Sequence, residues 1–497
     1  IGSGRYETDN RTLDFASIEG LTGGSGRDVL DFSGMEEDSL VTISGADEKG
    51  FAGISTSLFA GFTGINTIIG STGSDTFTGS NAAGTYIIDT IISYEINGYT
   101  LELDDFEIIC GGSGDDIFVI KDFFAGTLDG GAGSDTIDYR SLLQAVQVML
   151  TAAGDIDGFN GTEANSLPAG FENIDIILLG SSSGTMTGIN DDASWEISPD
   201  RVIYTSAGNG LVIEGAVALI GGTLDDNFHI SGSVQYDIFG GAGNDTFRLA
   251  EGASFIGILD GQDGKDTLDY QDYNNSVQIN LGDNFIREGL TYLAKSAPGI
   301  NGGSANGFTG FESAVGGMGD DLLIGSAEAN TLNGHGGNDI LIGRSGNDTY
   351  LFGDAWGNDT IVENSGGGND TISFELVTTD LTFTWSEALG RVRLLVSGGD
   401  GFEHDVRQIE NFIGGAGNDT FNISINLSYN LNGGGGNDSF IFTAGTRLTG
   451  RIDGGAGIDT LDFSNLTGIL TTTITGAGPE GFSGQQTALS NGFVNMD

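Results

Sequence analysis

The octapeptide "GGAGNDTF" occurs twice, from Gly240 and from Gly414, and close variants start at Gly111, Gly130, Gly433 and Gly454. A short turn that carries an acid at a fixed place and recurs along one chain requires a fold that repeats as well. The starts at Gly414, Gly433 and Gly454 are 19 and 21 residues apart, and Gly111 to Gly130 and Gly240 to Gly261 are 19 and 21. Each interval holds two short alternating runs, such as "TFNIS" and "YNLN". Alternation is the strand period. Two strands of about four or five residues and two turns fill about 20 residues, one coil of a β-solenoid.

A second register runs from Gly316 to Tyr350. Here Gly316, Gly325, Gly334 and Gly343 start "GGMGDDLLI", "GSAEANTLN", "GHGGNDILI" and "GRSGNDTYL", nine residues apart. Nine residues make a turn and a strand, so two units make a coil of 18. A longer period overlies both. The phrase D-T-L-D-Y/F or a variant recurs at Asp28, Asp135, Asp266, Asp370 and Asp459, spaced by 107, 131, 104 and 89. An alternating strand follows each phrase, then a polar insertion such as "GDIDGFNGTEANSLPAG" from Gly154, then a lead-in such as "FENIDIILLG", "FESAVGG" or "IENFIGG". The reading is an all-β parallel β-solenoid of 18–21-residue coils with polar loop insertions, continuous over residues 1–497. Its super-repeats cover approximately 1–110, 111–240, 241–345, 346–435 and an incomplete 436–497, with tandem nonapeptides over 316–359. The closing "NGFVNMD" resembles "NGFTGFE" at Asn306, and the opening "IGSG" resembles the "VGG" that comes next there. This suggests a window cut from a longer array, or subunits that stack head to tail. No signal peptide is visible and the first residue is Ile, as in a mature or partial chain.

Composition agrees. Gly is 87 of 497 residues, against roughly 7% in an average protein, while Pro is only 4, so the chain is neither collagen-like nor Pro-rich. Asp and Glu number 70 against 17 Lys and Arg, a net charge of −53. Nucleic acid and anionic membrane surfaces would repel such a chain. With Cys110 alone, no intramolecular disulfide is possible, and no apolar run is long enough to span a membrane. Carboxylates packed into a compact fold repel one another unless a cation neutralises them. Asp supplies hard oxygen donors of the kind calcium prefers.

The turn G-G-x-G-x-D with its alternating tail resembles the RTX, or haemolysin-type, calcium-binding nonapeptide of secreted Gram-negative toxins, proteases, lipases, adhesins and S-layer proteins. The resemblance implies a right-handed parallel β-roll with several Ca²⁺ ions held between stacked turns. Residue by residue, it carries the metal role onto Asp116, Asp135, Asp245, Asp266, Asp321, Asp339, Asp348, Asp419, Asp438 and Asp459, and secondarily onto Asp28, Asp75, Asp359 and Asp370. Most coils have one glycine turn, so calcium should line mainly one edge. Turns "GSAEAN" at Gly325, with Asn330 in the acid's place, and "GGTLDD" at Gly221 depart from the pattern. The competing explanation is that these acids only close Asx-turns on nearby backbone N–H groups.

Catalytic motifs are lacking. His229, His335 and His404 form no H-E-x-x-H. "GSSSG" at Gly180–Gly184 matches a nucleophile elbow but lacks a following helix, and Arg391, Arg393 and Arg407 read as charge balance. The chain therefore reads as non-enzymatic: an extracellular, calcium-stabilised structural unit of a filament, S-layer, matrix or adhesin stalk, exported by a type I route. Its expected partners are copies of itself, with surface glycan as a further candidate. The alternative is a β-helix enzyme or binding module for acidic polysaccharide.

Overall fold

The computed structural model describes residues 3–8, 11–16, 20–58, 61–180, 184–287, 289–300, 307–364, 367–388, 391–398, 402–406, 408–478 and 480–497. Every regular element among them is a β-strand. The chain divides into two compact units, Ile1–His229 with Ser233–Asp245, and Ile230–Gly232 with Thr246–Asp497.

In each unit the strands that follow a turn acid stack in parallel. The pattern Thr–apolar–x puts the β-branched Thr outward and the apolar residue inward, as a pleated strand with one buried face demands. In the first unit Tyr86 pairs with Phe118, Phe118 with Ile137, Ile137 with Ile177 and Ile177 with Ile213. A second ladder runs Phe77, Ile109, Leu128 and Phe171. The two ladders meet across the interior, where Phe77 lies edge-on to Tyr86 at 6.3 Å.

The second unit repeats the device. Leu268, Ala314, Leu332, Tyr350, Ile372, Phe412, Leu431, Ile452 and Phe493 form one parallel column. Ile279, Leu323, Leu341 and Ile361 form another, and Phe383, Phe421, Phe440 and Leu461 a third. The Phe383 and Phe421 rings stack 4.4 Å apart at 3°, and Phe421 and Phe440 4.7 Å apart at 16°. These are the spacings of neighbouring strands, about 4.8 Å, so the backbone ladder imposes the ring stack. The apolar columns expected from the alternating runs are thus present.

The insertions are themselves ordered as antiparallel meanders. Gln147–Ala153, Phe159–Glu163 and Leu167–Ile174 form one, and Leu40–Asp47, Gly50–Ser55 and Phe62–Ile65 another. A third is Thr472–Gly478, Gly481–Gln486 and Leu489–Met496. Each has a glycine opposite a phenylalanine: Gly53 and Phe62, Gly161 and Phe171, Gly484 and Phe493. A Cβ on Gly161 would lie 2.5 Å from the Phe171 ring, so the ring fills the space a side chain would take. In the segment from Gly154 the inward positions are shared by Phe159 and Leu167 with glycines and the buried Glu163 and Ser166, which is why it reads as polar. The Ser166 N–H and hydroxyl both donate to Glu163 Oε2 at 2.7 Å.

Phe421 is fully buried between two stacked rings. Phe421→Ala should cost about 3–5 kcal/mol in a denaturant melt. Leu143→Ala, at a fully exposed side chain, should cost less than about 0.5 kcal/mol. Equal losses would contradict the assignment of the core.

Candidate calcium-binding ladder

All fourteen turn acids expected from the sequence lie inside the fold, none more than 4% exposed. Each turn feeds its Asp back under the strand that follows, and the carboxylate meets the backbone of the preceding coil. In the first unit the Asp116 N–H donates to Asp135 Oδ1 at 2.7 Å, and Gly84 N–H to Asp116 Oδ1 at 2.7 Å. Asp226 N–H donates to Asp245 Oδ1 at 2.8 Å and Ser39 N–H to Asp75 Oδ1 at 2.5 Å. Asp28 takes the Gly24 N–H of its own turn on Oδ2 at 2.7 Å.

In the second unit Val277 donates to Asp321, Asp321 to Asp339 and Asp339 to Asp359, at 2.7, 2.7 and 2.8 Å. On the alternate turns of the tandem segment Asn330 donates to Asp348 and Asp348 to Asp370, at 2.8 and 2.9 Å. Leu381, Asp419, Asp438 and Asp459 continue in the same way at 2.7, 2.7 and 2.8 Å. The Asp266 N–H donates to Glu312 at 3.1 Å.

So one carboxylate oxygen of these residues is committed to a backbone N–H, but mostly between coils rather than within an Asx-turn. The other oxygen divides the set. At Asp321 and Asp419 Oδ2 accepts an N–H of its own turn, from Gly317 and Gly415, both at 2.6 Å. At Asp116, Asp135, Asp339, Asp348, Asp438 and Asp459 Oδ2 is buried without a hydrogen-bond partner. A buried charged oxygen left unpaired is costly. Stacked acids with one free oxygen each are a donor set that fits a hard cation.

The turn glycines have two separate reasons. In several turns the second glycine sits at positive φ, as at Gly131 with φ 91°. The first does not. A Cβ on Gly130 would run into the Asn173 carbonyl oxygen of the next coil and lie 2.7 Å from Asp135 Oδ2, so glycine is needed there to let both the stacked backbone and the carboxylate in. Positive φ therefore accounts for only part of the motif.

Several ladder residues escape the sequence pattern. Asp226, in the degenerate turn at Gly221, takes Gly222 N–H at 2.6 Å and is buried like the rest. Asn330 stands in the ladder as a neutral member, accepting Ser326 N–H at 2.6 Å. Five runs end on an acid or amide from the lead-in phrase: Asn66, Glu107, Asp175, Glu312 and Glu410 accept the N–H of Asp28, Asp75, Asp135, Asp266 and Asp370. The signal was the acid in "FESAV" and "IENF", whose place in the coil is apparent only once coils are stacked. His229 pairs with Glu196, Nδ1 to Oε2, at 2.8 Å. His335 occupies a second-glycine place at φ 67°, and it is partly buried rather than solvated. The serines of "GSSSG", Arg407 and the His404 side chain lie outside the described residues.

Burial pushes a set of the ladder acids up, and neighbouring carboxylates add to it. Asp116, Asp135, Asp348 and Asp438 rise to about 7, and Asp245, Asp321 and Asp419 to about 6. Asp339 and Asp359 also rise, by burial and then by the carboxylates of neighbouring coils. A raised folded-state pKa means that the calcium-free fold holds these protons more tightly than the unfolded chain does. Their stabilising effect is complete below the unfolded value of about 3.9 and is lost as pH rises through about 6 to 7. Calcium-free protein should therefore keep its far-UV circular dichroism near pH 4 and lose strand signal by pH 8, and millimolar calcium should restore it. Equal stability at both pH values in chelator would refute this. Asp438→Asn, which copies Asn330, should raise the chelated protein's Tm at pH 7.5 by a few degrees, about 1 kcal/mol or more. It should also shrink the Tm gain on adding calcium. Lower chelated stability would contradict it.

No helix among the described residues is long and apolar enough to cross a membrane. No curated protein matches the chain. The family model for the RTX calcium-binding nonapeptide repeat matches four times, over residues 61–83, 125–140, 237–256 and 315–350. These stretches contain Asp75, Asp135, Asp245, Asp321, Asp339 and Asp348. RTX nonapeptide repeats bind calcium ions, and the chain carries four matches to that repeat on a parallel β-roll.

Proposed function

We propose that this chain is an extracellular structural element, a unit of a filament, S-layer, matrix or adhesin stalk, whose β-roll is locked by calcium after export. The buried acids whose second oxygen has no protein partner carry this reading. Asp116, Asp135, Asp339, Asp348, Asp438 and Asp459 hold that oxygen in place by giving the first to a backbone N–H. The other turn acids, Asp28, Asp75, Asp245, Asp266, Asp321, Asp359, Asp370 and Asp419, belong to the same ladders and complete the proposed ligand set. Calcium, when bound, supplies the positive charge these columns lack. Extracellular modules bind it at about 10⁻⁴–10⁻³ M, so the chain would stay loose at cytosolic levels and fold outside the cell, where binding free energy becomes folding free energy. The RTX repeat is typical of type I secreted Gram-negative proteins, which supports this location.

A second reading, a glycan-binding module, is favoured by one groove of about 460 Å³ in the second unit. Its rim presents Asn411, Asn430, Asn432, Thr371, Arg451 and Asp453. Such amides and a charge pair suit sugar hydroxyls and an acidic sugar.

Electron microscopy of the native extracellular material, before and after chelation, separates the two. The structural reading expects filaments or sheets that dissociate without calcium. Single particles in both conditions, together with retention on an acidic polysaccharide column that Arg451→Ala abolishes, would replace it with the second.

A further inference from the structure

In the tandem segment Asp321, Asn330 and Asp339 are each followed at the fourth residue by a glycine, Gly325, Gly334 and Gly343. After Asp359 that place is taken by Glu363. The repeated turn has no side chain there, so Glu363 adds a carboxylate that the motif does not supply. It does not point away into solvent. One oxygen each from Asp348, Glu363 and Asp370 lie within 4.8 Å of one another.

The surroundings are built for this cluster. Asp348 and Asp370 are each 1% exposed, and Glu363 is half-buried. Asp348 Oδ1 is taken by Asn330 N–H at 2.8 Å, Asp370 Oδ1 by Asp348 N–H at 2.9 Å and Glu363 Oε2 by Asn364 N–H at 3.0 Å. The Tyr350 hydroxyl donates to Glu363 Oε1. Asp348 Oδ2 is buried with no partner. A Cβ on Gly343 would run into Glu363 Oε1, Asp348 Oδ2 and the Tyr350 oxygen together, so three oxygens converge on one glycine. Among the described residues no Lys, Arg or His forms an ion pair with the three acids. Arg344 turns its guanidinium to the Asp283 and Gly325 carbonyls and over the Phe285 ring.

We propose that Asp348, Glu363 and Asp370, with the Tyr350 hydroxyl beside them, form a discrete site for a hard, oxygen-seeking cation such as Ca²⁺. It rests on the reading that the ladder acids are neutralised by calcium. It differs from the ladder because a third carboxylate is brought in from outside the motif. Affinity at oxygen sites rises with the number of charged ligands, so this site fills before the rest of the ladder. All-oxygen donors select calcium or a lanthanide over zinc or copper.

The test is titration of the full chain with Tb³⁺, exciting tyrosine and reading sensitised terbium emission, with calcium competition and circular dichroism alongside. Wild type should show an early, tight phase followed by weaker ones. Glu363→Gln should weaken the early phase at least about tenfold, a change of roughly 1.4 kcal/mol, and leave the later phases intact. Tyr350→Phe should keep the early phase in calcium competition but lower its emission. If Glu363→Gln titrates like wild type, or loses all phases together, the discrete site is overturned while the ladder reading stands. If wild type binds neither Tb³⁺ nor Ca²⁺, the ladder reading itself falls.

Discussion

The structure depends on the stacking of buried carboxylates at strand spacing. A parallel β-roll places equivalent residues of successive coils about 4.8 Å apart. When the residue is leucine or phenylalanine, the result is an apolar column. When it is aspartate, the result is a column of like charge shielded from water. The chain manages half of that charge with its own backbone: Asp135 Oδ1 takes the Asp116 N–H, and Asp438 Oδ1 takes the Asp419 N–H. The same bonds tie neighbouring coils together at the turn, where the sheet ladder has ended. The other oxygen is left for something the chain does not contain.

This division of labour explains the rest of the motif. The first glycine of a turn exists because the next coil's carbonyl and the turn's own carboxylate both lie against its Cα, as Asn173 and Asp135 do at Gly130. The Thr after the acid begins the outward face of the strand. The apolar residue after that enters the core column. Several runs of acids end on a longer or neutral side chain, such as Glu312, Glu410 or Asn66, and one on Asp175. These reach the last free N–H from a coil in which the acidic turn is missing.

Such a scaffold ties folding to the medium. Without calcium, neutral pH charges the columns and opposes the apolar core. With calcium, the same columns become cross-links. On the proposed reading, the net charge of −53 is what divalent cations would offset. Glu363 shows how one substitution of a turn glycine turns part of a uniform ladder into a site with its own character.

The sequence by itself determined the coil. The 18- to 21-residue spacing, the alternation after each acid and the glycine pattern named a parallel β-roll and the fourteen acids that enter it, because a solenoid writes its period directly into its chain. It could not place residues whose partners lie one coil away at irregular separations. Glu107, Asp175, Glu312 and Glu410 join ladders over separations of 32, 40, 46 and 40 residues. Gly161 and Phe171 make a meander out of what reads as a polar loop, and Glu363 meets Asp348 only after the chain has gone once around. Periodicity reports what every coil shares. Which oxygen is bonded, which is left over and where an extra carboxylate returns are set by the stacking of particular coils, and only the tertiary structure decides them.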